Sequence, residues 1–200
     1  IAAQAFAEAV ESLSGAKDFE KACLDYSVKL LKEHYRIIFN YNGYGPDWEP
    51  EAERRGLLNN KTTADAVLEF FTQESIDVFV KQGVFTEKEV VARANIMLEN
   101  YVKTINVEAL TAAEMARQEI YPAVNRYITE IASALQAKRA VSEKVSCKND
   151  AELVERLSAM NDALMESVKK LERDLAEMPA GEKAASRQMA HTVVPDMEEV

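Results

Sequence analysis

One apolar stripe limits what this chain can fold into more than any other feature. Leu153, Leu157, Met160, Leu164, Val168, Leu171 and Leu175 follow one another at steps of three and four residues. That spacing puts all seven side chains along one side of a helix spanning about 150–177. A helix with so long an apolar seam has to bury it against a second helix. Ile120, Val124, Ile128, Ile131 and Leu135 supply a matching seam, and the polar run VSEKVSCKND at 141–150 between the two reads as a turn. The expected product is a long antiparallel helical hairpin.

The neighbouring signals are helical as well. Thr86-Glu87-Lys88-Glu89 is a capping box and introduces a helix over about 87–140. Pro122 lies inside it, where its ring removes an N–H and crowds the Gln118 carbonyl, so a kink or break is expected near Pro122. Pro179 and Gly181 precede a final helical stretch. At the other end a first helix runs to about Leu13, with Gly15 expected in the left-handed conformation after it. Asp18 caps a second helix, whose Phe19, Cys23, Tyr26, Leu30, Ile37 and Ile38 form a stripe ending near Phe39. Between about 40 and 85 the pattern changes to a loop and short helices. Asp47 is the expected cap of one, with Pro50 in its first turn and Gly56 closing it. Thr62 and Asp65 open another, which carries Val67, Leu68 and Phe71; Ile76, Phe79 and Val80 mark a third, ending at Gly83.

Six Gly and five Pro in 200 residues are too few turn formers for an all-β sandwich or barrel. The fold class is therefore all-α: a helical bundle, 1–200 as one domain, with long helices over 1–40 and 86–200 and the loop and short-helix insert at 41–85. A chain of this mass could bury about 70% of its extended surface on compact folding. Its 34 acidic against 24 basic residues give a net charge of −10, which argues against nonspecific binding to nucleic acid or to an anionic membrane. No apolar run reaches the length of a membrane span. Cys23 and Cys147, two thiols far apart in sequence, suit a reducing, cytoplasmic setting better than a disulfide framework. The first residues, IAAQAFAEAVESL, already show helical spacing, and the last, Pro195 to Val200, carry no cap. A piece of a longer protein is expected.

The residues give no visible chemistry. His34 and His191 lack the glutamate partner of a carboxylate-bridged metal site, and neither H-E-x-x-H nor C-x-x-C occurs. No G-x-S-x-G is present, and Glu108, Glu114 and Glu119 do not share a helical face. No catalytic, cofactor-binding or metal residue is assigned. What remains is a candidate interface loop. Asn42-Gly43-Tyr44-Gly45 lacks both phosphate-loop patterns and reads as a structural turn. The aromatics Tyr35, Tyr41, Tyr44 and Trp48 either pin this loop to the helices or dock a partner. Arg54, Arg55 and Lys61, around Gly56 and before Thr62, either grip a carboxylate or phosphate or merely compensate a helix dipole. The reading from residues alone is a helical interaction module, and an independent scaffold or adaptor that binds a partner through the 150–177 stripe is the alternative within it.

Two stretches go further. KEHYRIIFNYNGYGPDWEPEAERRGLLNNKTTADAV at 32–67 and GVFTEKEVVARANIMLENYVKTINVEALTAAEMARQEIYPAV at 83–124 resemble consecutive blocks of the type III glutamine synthetases. RIIFN, EAERRGL, KTT, GVFTE, ENYVKTINVEAL and EIYPAV carry the likeness, while Tyr35 and Tyr41 stand where a basic residue and a glycine are expected. The AAQAFAEAV opening resembles the helix after that family's final catalytic strand. The resemblance implies a parent enzyme that condenses glutamate with ammonia at the expense of ATP, with Mg²⁺ or Mn²⁺, assembled as stacked hexameric rings. It implies a chain that is the C-terminal helical region, inactive alone and structural, assembly-related or regulatory. Its partners would be the catalytic domain of the same polypeptide and sister subunits.

Overall fold

The computed structural model describes residues 2–200. All regular structure among them is helical, and the chain divides into two compact units, Ile1–Lys61 and Thr62–Val200. The segment 41–85, read from the sequence as one insert, is shared between them.

The first unit holds α1 (Ala2–Leu13), α2 (Phe19–Glu33), a 3₁₀ turn (Tyr35–Ile37) and α3 (Trp48–Arg54). Asp18 caps α2 as expected, its carboxylate accepting the Lys21 N–H at 3.1 Å. Three local expectations change. Positive φ is confined to Gly56, Gly83 and Gly181 among the described residues, so α1 ends without a left-handed Gly15. The second helix stops at Glu33 rather than near Phe39: His34 caps it with its N–H on Leu30 O, and the Arg36 and Ile38 carbonyls beyond accept from Arg55. Asp47 makes no side-chain cap bond; the chain enters α3 through a turn in which Trp48 N–H donates to Gly45 O. The compact burial that chain length allows is absent from α1 and α2, neither of which contains a buried residue.

The second unit is built on one rod. It begins with α4 (Thr63–Leu68), a 3₁₀ turn (Glu69–Phe71) and α5 (Gln73–Lys81), then runs without a break through α6 (Glu87–Met115), a π-helical turn (Ala116–Ile120) and α7 (Tyr121–Val141). After the hairpin turn come α8 (Lys148–Ala176), α9 (Glu182–Gln188), a second π turn (Met189–Val193) and α10 (Val194–Glu199). The Thr86–Glu89 capping box is complete, with both reciprocal bonds made. Gly83, with φ +64°, ends α5 as the left-handed residue of a Schellman turn, in which Val84 N–H reaches back to Phe79 O.

Pro122 does not break the rod. A proline inside an α-helix lacks one N–H and collides with the carbonyl four residues back. Here the turn before it widens, so that Tyr121 N–H bonds Ala116 O, five residues back, and the helix continues. Pro195 repeats the device: Val194 N–H bonds Met189 O. Each π turn ends two residues before its proline.

Antiparallel packing of α7 and α8 is fixed by contacts along their length. Lys138 pairs with Asp150 at 2.6 Å near the turn, and Arg117 pairs with Glu172 at the far end. Between them Asn161 Nδ2 donates to Asn125 Oδ1 at 3.2 Å and to Tyr121 O at 3.4 Å. The seam is less apolar than its spacing suggested. Met160 and Ile120 are 62% and 45% exposed, whereas Asn161 is buried. Asn161 stands one heptad before Val168, so the buried line passes from Leu171 and Val168 to Asn161 and leaves Met160 outside it. The main core gathers Ala109, Ala113 and Ala116 of the rod with Val168, Leu171, Met189 and Val193. Three alanines there let α8 and the terminal helices approach the rod closely. A smaller cluster joins Val67 to Ala94 and Leu98.

Candidate functional site

The candidate loop lies within the first unit, and its organising residue is Glu51. Gly56, at φ +69°, closes α3 in a Schellman turn, with Leu57 N–H on Ala52 O and Gly56 N–H on Glu53 O. Ending the helix there puts Glu51, Arg54 and Arg55 on one side of its last turn. Arg54 grips Glu51 in two bonds, Nε to Oε2 at 2.7 Å and Nη2 to Oε1 at 2.6 Å. Arg55 Nε donates to the same carboxylate at 2.5 Å. Those bonds, Arg54 first and Arg55 next, pull the Glu51 carboxyl down to about 2. The Arg54 guanidinium is raised in return, chiefly by its bond to Glu51.

Arg55 also reaches across the loop. Its Nη1 donates to Ile38 O at 2.5 Å and more weakly to Arg36 O at 3.4 Å. Its guanidinium stands 5.6 Å from the centroid of Phe39 and 5.9 Å from that of Trp48, and those two rings lie 4.3 Å apart. Tyr41 completes the aromatic group by meeting Phe39 edge-on at 5.6 Å. Asn42 closes the tip: its side-chain oxygen accepts Tyr44 N–H, and its backbone carbonyl accepts Gly45 N–H, both at 3.0 Å. A side chain at Gly45 would crowd that carbonyl at 3.3 Å. Beside the loop is a cleft of about 620 Å³ between Phe39, Tyr41, Gly45, Pro46, Asp47 and Glu51.

The cations named from the sequence therefore hold the chain's own carboxylates. Arg54 and Arg55 share Glu51, and Lys61 pairs with Glu49 at 2.6 Å. The phosphate-gripping reading of these three side chains does not describe their geometry. Of the aromatics, Trp48 is pinned, while Tyr41 and Tyr44 are 85% and fully exposed. Gly43 lies in the same exposed tip. Thr62, the last of the named residues, belongs to the second unit. It caps α4, accepting Asp65 N–H at 3.1 Å and donating its hydroxyl to Asp65 Oδ2 at 2.6 Å. Sequence reasoning passed over Phe39 and Glu51 as members of the loop. Glu51 was readable as a partner of Arg54 and Arg55 at helical spacings of three and four; Phe39, contacted from the other end of the loop, was not.

Nothing in this arrangement supplies a nucleophile beside a base. Among the described residues no group of three or more His, Cys, Asp or Glu is placed to hold a metal ion. The arrangement is a braced loop that presents two exposed tyrosines, Tyr41 and Tyr44.

Comparison with known proteins supplies the lineage. Residues 22–139 match the family described as glutamine synthetase C-terminal domain. The chain belongs to that family. Both resembling blocks, 32–67 and 83–124, fall inside the matched span. Among curated relatives, the chain is 31% identical over 178 residues to a glutamine synthetase of Butyrivibrio fibrisolvens, covering 86% of this chain and 25% of that protein. To the type-3 glutamine synthetase of Dictyostelium discoideum it is 29% identical over 107 residues, 54% of this chain and 15% of the relative. A glutamine synthetase of Bacteroides fragilis is 28% identical over 157 residues, covering 74% and 21%. The chain thus spans a quarter or less of the relatives it matches. As a member of this C-terminal family it has no helix, among the described residues, long and apolar enough to cross a membrane.

Proposed function

We propose that this chain is the helical assembly domain of a glutamine synthetase, inactive alone. It serves an enzyme that ligates ammonia to glutamate with ATP and Mg²⁺ or Mn²⁺ bound elsewhere in the polypeptide. Its role is to dock against the catalytic portion and against sister subunits of a cytoplasmic homo-oligomer. The observation that carries this reading is the surface of α1 and α2. Phe6, Val10, Phe19, Leu24 and Leu31 are each more than half exposed, and neither helix buries a residue. On α2, Leu24, Val28 and Leu31 form a second stripe beside the one the sequence revealed, and Tyr35 of the following 3₁₀ turn is exposed as well. A helix apolar on two sides is stable only when both are covered, and an exposed patch of this kind marks an interaction surface. The braced tyrosine loop of the same unit adds the aromatic anchors favoured at interfaces.

The scaffold alternative, partner binding through the 150–177 stripe, is disfavoured because Val168 and Leu171 lie in the core and Leu164 and Leu175 pack on it.

Two measurements test the proposal. The purified chain, given glutamate, ammonia and ATP-Mg, forms no glutamine; turnover above the blank would refute inactivity. In the longer enzyme, Leu24→Glu with Leu31→Glu shifts the mass seen by light scattering toward smaller species. An unchanged mass would refute the assembly role of this surface.

A further inference from the structure

The tip of the loop in the first unit carries chemistry that its bracing does not use. Asn42 is followed by Gly43, and no other asparagine in the chain precedes a glycine. A side chain on the following residue ordinarily keeps an asparagine carboxamide away from the next peptide nitrogen. Glycine, without a Cβ, lets the two approach. Both residues are exposed, and among the described residues no hydrogen bond holds the Gly43 N–H. Asn42 Oδ1 accepts Tyr44 N–H at 3.0 Å, which folds the carboxamide back along the Asn42–Gly43 peptide and leaves Nδ2 unbonded. A nucleophile, an electrophile and a donor facing the electrophile's oxygen are thus consecutive in the chain.

The steps follow from those atoms. Hydroxide takes the proton of the Gly43 N–H, and the nitrogen attacks Asn42 Cγ. As the N–Cγ bond forms, negative charge moves onto Oδ1, where the Tyr44 N–H already stands to receive it. The charge then returns to the carbonyl and the Cγ–Nδ2 bond breaks. Nδ2 takes a proton from water and leaves as ammonia, and Asn42 and Gly43 are joined in a cyclic imide. Water opens that ring at either carbonyl. Opening at Cγ gives aspartate; opening at the backbone carbonyl gives isoaspartate, whose main chain runs through Cγ. The sum is one carboxamide and one water converted to one carboxylic acid and one ammonia.

We propose that Asn42 is a self-modification site, which converts through a cyclic imide with Gly43 to aspartate and isoaspartate, water being the reagent. The inference rests on the loop itself, independently of any assembly role of the first unit. Its product changes the tip in two ways. A new carboxylate enters the rim of the cleft that already holds Asp47 and Glu51. Isoaspartate also lengthens the main chain between the Asn42 carbonyl and the Gly45 N–H that it accepts, so this turn can no longer close as it does now. Tyr41 and Tyr44, both exposed, flank the altered link. Because no step restores the amide, each molecule is changed once and permanently.

The test holds the 200-residue chain in mildly alkaline buffer and follows its tryptic segment 37–54 by chromatography and mass spectrometry against a zero-time control. Asn42 is expected to gain the mass of an acid, in two separable peptides, aspartate and isoaspartate. Asn40 and Asn60, equally exposed and outside helices but followed by residues with side chains, should remain amides. The rate should rise about tenfold for each pH unit, as the ionised fraction of a very weak acid does. Gly43→Ala is a clean control, because Gly43 has no positive φ and an added Cβ meets nothing within 4 Å. Its Trp48 emission should match the wild type while conversion of Asn42 falls to the rate of Asn40. The proposal is overturned if Asn42 converts no faster than Asn40, or if Gly43→Ala keeps the wild-type rate. Aspartate without isoaspartate would overturn it too, since that product comes from direct hydrolysis of the side chain.

Discussion

Asp65 and His191, 126 residues apart in the chain, meet at 3.1 Å, Oδ1 to Nε2, and join the first turn of α4 to the second π turn. The same carboxylate takes the Thr62 hydroxyl through its other oxygen. One side chain thus serves the start of a short helix and a long-range tie at once.

That double role sets an acid limit. The Thr62 hydroxyl first, and His191 next, hold the Asp65 carboxyl below its usual range. A depressed carboxylate contributes stability above the unfolded pKa, about 3.9, and loses it as pH falls through the folded value. Urea midpoints measured from pH 6 down to pH 2 should show this loss in the wild type, while Asp65→Asn lacks that part of the slope. At pH 6 the variant should be weaker by about 1 kcal/mol or less, the usual value of a partly exposed pair. Parallel acid limbs in the two proteins would contradict the assignment.

Trp48 reports on the braced loop. With Glu51 ionised down to about 2, its fluorescence should hold steady from pH 7 to pH 4 and change only toward pH 2. Glu51→Gln releases both arginines and should show the altered emission already at pH 7. An emission change centred near pH 4, as for a free glutamate, would mean that the brace is absent in solution.

Thr86→Ala removes the hydroxyl half of the capping box at the start of the rod and leaves the backbone N–H of residue 86 on the Glu89 carboxylate. The expected loss is about 1 kcal/mol by thermal or urea denaturation. A change indistinguishable from zero would show that the rod's packing alone fixes its N-terminus.

Leu157→Asp combined with Leu164→Asp places two charges in the α7–α8 seam, where Leu164 packs on the main core. Burial of unpaired charge costs several kcal/mol, so the far-ultraviolet circular dichroism of helix should collapse. Retained helicity with lost partner binding would revive the scaffold reading.

Most of the helical frame was legible because its signals are local. The Thr86–Glu89 box, the Asp18 cap, the left-handed Gly56 and Gly83 and the hairpin seam each depend on residues within a few turns of one another. Pro122 announced a disturbance, though only the structure shows that a π turn absorbs it. What was hidden depends on partners far along the chain. Arg55 reaches back to Ile38, Asn161 to Asn125, and Asp196 to Lys170, and no spacing rule relates those pairs. The arginines at 54 and 55 looked available to an external anion, although Glu51, three and four residues before them, is the local signal that both are taken.

Hydrogen exchange of α1 and α2 tests the central claim most directly. In the isolated chain their amides should exchange within seconds to minutes, since neither helix buries a residue. In the longer glutamine synthetase carrying this sequence, the same amides should be slowed by orders of magnitude, with Leu24, Val28 and Leu31 among the most protected. Equal exchange in the two settings would contradict a docking role for these helices.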